Sequence, residues 1–280
     1  MATSFIDTAD YQYLYSTVRI DGVTSSNTFV SGTGFYFNFV ESDTVDLIAI
    51  VTNRHVFENV IEARIKIILI DDKGVSHDTN PLIKDIKDLD KKVIYHPDPT
   101  VDLCAIPIAE IIDPAKDIPK GWQLCLYAYS KADLLTEKEL NELSAVEDIL
   151  MIGYPDGLMD EVNNKPIIKK GITSTHIKLD YENEKIFLID IYTFEGSSGS
   201  PILLHKYGVF DLEEDTYIGR RTRFLGVLYA GHDTTIEGEL IRTPIKNIQR
   251  PAINVNMHIG FVLKAERLSE LGDEIVKKSA

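Results

Sequence analysis

The sequence predicts an all-β protein carrying one short internal helix and one C-terminal helix. Three observations predict it. Short runs rich in Val, Ile, Tyr and Phe recur along the chain, turn residues separate them, and helical spacing of apolar residues is confined to two stretches.

In chain order, strands are expected at residues 11–20, 34–40, 47–52, 63–70, 92–95 and 103–108. Asp21-Gly22 and Asp71-Asp72-Lys73-Gly74 are read as the turns between early strands, and Pro97 and Pro99 keep the loop before residue 103 out of any ladder. The texture changes from about residue 109 to residue 146. There Thr136, with Glu139 three positions on, forms a capping-box signature that starts a short amphipathic helix. Strands resume at 149–152, 167–177, 186–191, 202–204, 224–229 and 258–263. In the tail, Leu268, Leu271 and Ile275 recur at helical spacing, which predicts a helix over 265–278 packed on the preceding strands.

With 280 residues the chain can bury a sizeable core, and 44% hydrophobic against 26% charged residues is a globular balance. The net charge of -15 repels phosphate backbones and anionic lipid, so neither nucleic acid nor a membrane surface is an expected partner. Residues 1–7 lack a basic start and apolar core, and no apolar run reaches the roughly 18 residues that span a bilayer. A cytoplasmic protein is expected. The two cysteines, Cys104 and Cys125, each lie inside an apolar run and read as core thiols in a reducing compartment.

The chemistry centres on Gly196-Ser197-Ser198-Gly199-Ser200-Pro201, just before the apolar run Ile202-Leu203-Leu204. Glycines on both sides of a serine pair allow a sharp turn that exposes a hydroxyl and gathers consecutive amide hydrogens into one concavity. A hydroxyl needs a neighbouring base to become a nucleophile, and the base needs a carboxylate to orient it. Candidates stand upstream: His55 in Thr52-Asn53-Arg54-His55-Val56, and Asp102 in Val101-Asp102-Leu103-Cys104, with Asp98 as a local rival. Ser197 and Ser200 are the alternates to Ser198.

The order His55, Asp102, Ser198 resembles the chymotrypsin-like (trypsin-like) serine peptidases, and most closely the bacterial HtrA-type peptidase domain without its PDZ domain. Gly32-Thr33-Gly34-Phe35, Ile152-Gly153-Tyr154-Pro155 and Gly226-Val227-Leu228-Tyr229-Ala230-Gly231 support the resemblance, which runs from about residue 32 to about residue 265. It implies one peptidase domain over 1–280 made of two packed antiparallel six-stranded β-barrels. The first would occupy 1–108 and the second 147–264, with a crossover at 109–146 and the helix at 265–280. It further implies a Ser198-His55-Asp102 triad acting through an acyl-enzyme, and an oxyanion hole of the Gly196 and Ser198 amides. Tyr192 and Thr193 would lie at the base of the primary substrate pocket and Tyr229-Ala230-Gly231 along its wall, which favours apolar or small side chains.

One departure stands out. Where zymogen-activated members carry an aspartate that pairs with a new N-terminus, this chain has Ser197. The loop must then be held some other way or await a binding event, so activation by a protein partner or by oligomerisation is expected. The competing reading is a catalytically quiet homologue that binds extended peptides as an added strand. An α/β-hydrolase is disfavoured because position 200 is Ser where its elbow needs Gly, and because the order of partners is wrong. No phosphate-loop or metal-ligand spacing is present, so no cofactor is expected.

Overall fold

Alternation of core-facing and outward residues lays out the first sheet. The structure is a computed structural model and describes residues 9–41, 46–211, 216–237 and 252–279; the stretch read for a leader, residues 1–7, lies outside them. β1 (Thr17–Thr24) and β4 (Val60–Ile67) each bury alternate side chains, the pattern of a sheet with one face on the core. With β2 (Phe29–Glu41), β3 (Asp46–Thr52), β6 (Leu82–Ile86), β7 (Ile94–Tyr95) and β8 (Cys104–Pro107) they form an antiparallel sheet in the order β6-β4-β1-β2-β3-β8-β7. β5 (Leu69–Ile70) pairs with β9 (Gln123–Leu124) beside it.

The second half is a closed six-stranded barrel. It consists of β10 (Asp148–Gly153), β11 (Ile167–Thr173), β12 (Ile186–Asp190), β13 (Pro201–Asp211), β14 (Thr216–Glu237) and β15 (Ala252–Lys264), in the order β10-β11-β12-β15-β14-β13. Short helices mark the rest: α1 (Ala9–Gln12), α2 (Leu89–Lys92), α3 (Pro114–Asp117), α4 (Glu137–Asn141) and α5 (Arg267–Ser279). None of the described helices is long and apolar enough to cross a membrane.

The internal helix begins as its capping box requires. Thr136 Oγ1 accepts from Glu139 N at 3.2 Å, and the Glu139 carboxylate accepts from Thr136 N at 2.9 Å. Helix α5 buries Leu268, Leu271 and Ile275 in the same apolar cluster as Phe35 and Phe37 of the first half and Leu203 and Phe224 of the second. One core thus spans both halves.

Several local expectations move. The start of the first expected strand is helical turn through Tyr15, and β1 begins at Thr17. Asp21-Gly22 is no turn but lies inside β1, where a side chain at 22 would meet Val60 of β4 at 3.0 Å; the glycine serves close packing. The first sheet carries seven strands because residues 82–86, whose alternate residues are exposed, add β6 to its edge. Both cysteines are free and buried, and burial pushes the Cys125 thiol up to about 11 and the Cys104 thiol higher still.

Candidate active site

Strand register brings His55 to Asp102. Thr52 at the end of β3 pairs with Cys104 at the start of β8, so the residues just past one and just before the other emerge at the same end of the sheet. Asn53 is fully buried and its amide donates to the Asp102 carbonyl at 2.8 Å, tying the two exits together. The chain then turns through Arg54–Phe57 and presents His55. Asp102 grips it at two points: Oδ1 accepts from the His55 backbone N–H at 3.0 Å, and Oδ2 lies 2.6 Å from Nδ1. An ionised carboxylate only accepts, so this contact calls for the proton on Nδ1, and in a neutral ring Nε2 then keeps its lone pair. The side chains are 43% and 23% exposed, so Asp102 is only partly covered by the apolar strand that follows it. Asp98 is occupied elsewhere. Its carboxylate accepts from Thr100 Oγ1 at 2.7 Å and Thr100 N at 2.9 Å, and these bonds hold its pKa below the usual range.

The three serines of the glycine-rich turn have different surroundings. Ser197 and Ser200 are buried at 1% and 0% exposure, whereas Ser198 is partly open. Ser197 Oγ accepts from Phe194 N at 3.2 Å and so braces the loop from inside. Gly196 and Gly199 take φ +80° and +86°, a region that side chains with a Cβ rarely adopt. The Glu195 carbonyl accepts from Asp156 N at 2.6 Å, the Gly196 carbonyl from Thr33 Oγ1 at 2.8 Å, and the Ser198 carbonyl from Thr33 N at 2.9 Å. Among the described residues, no group accepts from the amides of Gly196 or Ser198.

His55, Ser198, Gly196 and Glu195 line one cavity of about 930 Å³, which runs outward over Val56, Phe29 and Val30 to Arg19, Glu62 and Arg64 on the first sheet. Among the described residues, no hydrogen bond links the Ser198 hydroxyl to His55, and such bonds commonly tighten only around a substrate. Tyr192, Thr193, Tyr229, Ala230 and Gly231, the residues expected around the primary pocket, are not among those that line this cavity. Tyr192 packs on Phe194 at 4.3 Å and His258 at 4.4 Å, and Thr193 is buried. Lys169 of β11 donates to the Tyr192 carbonyl and lies over both rings, its pKa lowered by burial. Tyr229 is half-buried near Phe261, and burial raises its pKa with the charges of Asp102 and Glu184 adding to the effect. Sequence reasoning missed the roles of Thr33 and Asp156. Thr33 lies inside one of the supporting runs and Asp156 directly follows another, but nothing in either run says which backbone groups they reach.

A closed six-stranded barrel packed against a second antiparallel sheet, with a histidine–aspartate pair and a partly open serine at their junction, defines the class of chymotrypsin-like proteins. The family model described as the trypsin-like peptidase domain matches residues 32–210, and the chain belongs to that family, a family of peptidases. A search of curated proteins finds no match. Among solved structures, the chain is similar to the active form of the Rv3671c protease from M. tuberculosis at 16% identity, covering 98% of this chain and 86% of that one with a TM-score of 0.48. Deg5 aligns at 19% identity over 79% of this chain and 81% of its own, TM-score 0.45. Tobacco etch virus protease complexed with product aligns at 14% identity over 81% and 73%, TM-score 0.43.

Proposed function

We propose that the protein is a serine endopeptidase in which Ser198 attacks the peptide carbonyl, His55 moves the proton and Asp102 orients His55. One observation carries this reading: Asp102 Oδ2 lies 2.6 Å from Nδ1 of His55, and His55 and Ser198 line one cavity, an arrangement that supports Nε2 as the base. Ser198 Oγ bonds to the carbonyl carbon as its proton passes to Nε2. The negative oxygen that forms is met by the Gly196 and Ser198 amides, which have no internal acceptor. Collapse breaks the C–N bond, His55 returns the proton to the departing amine, and water then releases the acyl group by the same route. The substrate is a protein or peptide, and no cofactor takes part in these steps. The free, buried cysteines fit a reducing compartment. The loop's internal anchors favour an enzyme that needs no activating partner or oligomer over the switched one expected from the sequence.

The test is a fluorophosphonate probe together with identification of the peptide termini released from a protein mixture. Wild-type protein should be labelled and should generate new termini, and Ser198→Ala should do neither. Asp102→Asn should label more slowly than wild type by about 10⁴-fold, as expected for a misoriented base. Absence of labelling in the folded wild type would favour the peptide-binding homologue instead.

A further inference from the structure

Thr33 sits where the two halves meet, is 0% exposed, and uses every polar group it has. Its amide donates to the Ser198 carbonyl at 2.9 Å, and its carbonyl accepts from Thr52 Oγ1 at 2.7 Å. Its hydroxyl donates to the Gly196 carbonyl at 2.8 Å and accepts from Tyr154 N at 3.1 Å. One side chain from the first sheet therefore fixes a carbonyl of the serine loop and the end of the second half's first strand. The neighbouring backbone leaves it no spare room. A Cβ at Gly199 would fall 1.9 Å from the Thr33 carbonyl oxygen, and one at Gly153 would fall 2.7 Å from its hydroxyl.

We propose that Thr33 is a positioning residue that holds the loop 195–199 in its working shape from within a single chain, replacing the aspartate–N-terminus pair that Ser197 precludes. The inference rests on the reading of Ser198 as nucleophile. The geometry fixes both peptide groups on either side of Gly196. The preceding carbonyl is tied to Asp156 N and the following one to Thr33 Oγ1. In a trans peptide the N–H points opposite to its carbonyl, so tying the Glu195 oxygen outward leaves the Gly196 N–H directed away from Asp156. Thr33 Oγ1 holds the Gly196–Ser197 peptide and Thr33 N the Ser198–Gly199 peptide, so the Ser197–Ser198 peptide between them, which carries the Ser198 amide, is pinned on both sides. Ser197, on the inside, closes the turn with Phe194. Thr33 touches neither substrate nor reacting atoms; it acts through the two amides.

The test measures the second-order rate constant and the end-point of labelling by a fluorophosphonate. Labelling forms the Ser198 Oγ–P bond, expels fluoride, passes the hydroxyl proton to His55 and places the phosphoryl oxygen at the same amides. Thr33→Val keeps the shape and deletes the hydroxyl, Thr33→Ala avoids any crowding should Val perturb folding, and Thr33→Ser keeps the donor. Expected are a fall of about 10- to 100-fold in the rate constant for Val and Ala with the end-point still complete, and a value within about threefold of wild type for Ser. These losses lie below the roughly 100- to 1000-fold that removal of an oxyanion donor itself brings. Wild-type rate constants in Val and Ala, or an unchanged rate in a reduced labelled fraction, would overturn the inference, because the second result is what a purely structural role produces. A wild-type rate constant that rises over about a hundredfold increase in protein concentration would also overturn it, since the loop would then depend on association. Failure of the wild type to label, or labelling that survives Ser198→Ala, would instead strike the nucleophile assignment and take this inference with it.

Discussion

Gly196 and Gly199 bracket the candidate nucleophile, but a substitution at each should act differently. At Gly196 an added Cβ would stand 2.6 Å from the Tyr154 carbonyl with φ at +80°, so the loop would shift at the point where its N–H is presented. Gly196→Ala should lower the labelling rate constant by about 100- to 1000-fold while thermal unfolding moves only modestly. At Gly199 the clash is with the Thr33 backbone at 1.9 Å, in the seam between the halves, so Gly199→Ala should lose folded protein as well as rate. Comparing labelled end-point with rate constant separates the two. The cysteines allow a further check at this scale. Burial raises both thiol pKa values, so neither should react with an aromatic disulfide reagent at pH 8 in the native protein, and both should react once it is unfolded.

Helix α4 shows how an element predicted from its own sequence is completed by its neighbour. Its capping box is local, but Glu139 also reaches across to β14, where Arg223 donates to its carboxylate at 3.0 Å and 3.1 Å. Burial works to raise the Glu139 pKa, yet the bonds from Arg223 and Thr136 outweigh it and the net direction is downward. A carboxylate held below its unfolded value contributes stability that is complete above the ordinary glutamate pKa of about 4.3 and is lost as pH falls through the folded value. Glu139→Gln should therefore lower Tm at pH 7, and the gap between variant and wild type should close as pH drops below about 4. Circular dichroism melts across that range check it; a gap independent of pH would show that the carboxylate charge is not what holds α4 to the barrel. The Thr136-to-Glu139 spacing was legible because both partners lie within one turn. The Arg223 contact was not, because its partner is supplied by a strand far along the chain.

The two halves share one core, and the molecule should behave accordingly. Phe224 of the barrel lies 5.2 Å from Phe35 and 5.2 Å from Tyr129, ring to ring, and is 1% exposed. Phe224→Ala should cost roughly 3–5 kcal/mol, the range for truncating a buried aromatic. Because the cluster belongs to both halves, the loss should appear as one cooperative shift. Fluorescence of Trp122, which stacks on His77 at 4.1 Å beside the first sheet, should then change together with far-ultraviolet circular dichroism. Separated transitions would mean that the halves unfold independently.

Patterning that depends on near neighbours along the chain was open to direct reading. The strand runs, the capped helix, the apolar stripe of Leu268, Leu271 and Ile275, and the serine turn all belong here. The candidate trio is different: no run singles out its residue alone, and it is the resemblance of the three runs, in their order, to the trypsin-like peptidases that implies His55, Asp102 and Ser198. What only the tertiary structure decided is where distant backbones meet. The β3–β8 register joins His55 to Asp102, the interior location of Ser197 and Ser200 leaves Ser198 to face the cavity, and the seam at Thr33 braces the serine loop. The ring contacts of Tyr192 with Phe194 and of Tyr229 with Phe261 are likewise matters of packing that position in the sequence does not give. A strand's pattern states which face is apolar. It does not state which carbonyl a hydroxyl on that strand will find across the interface, because that bond is selected by packing two whole surfaces at once.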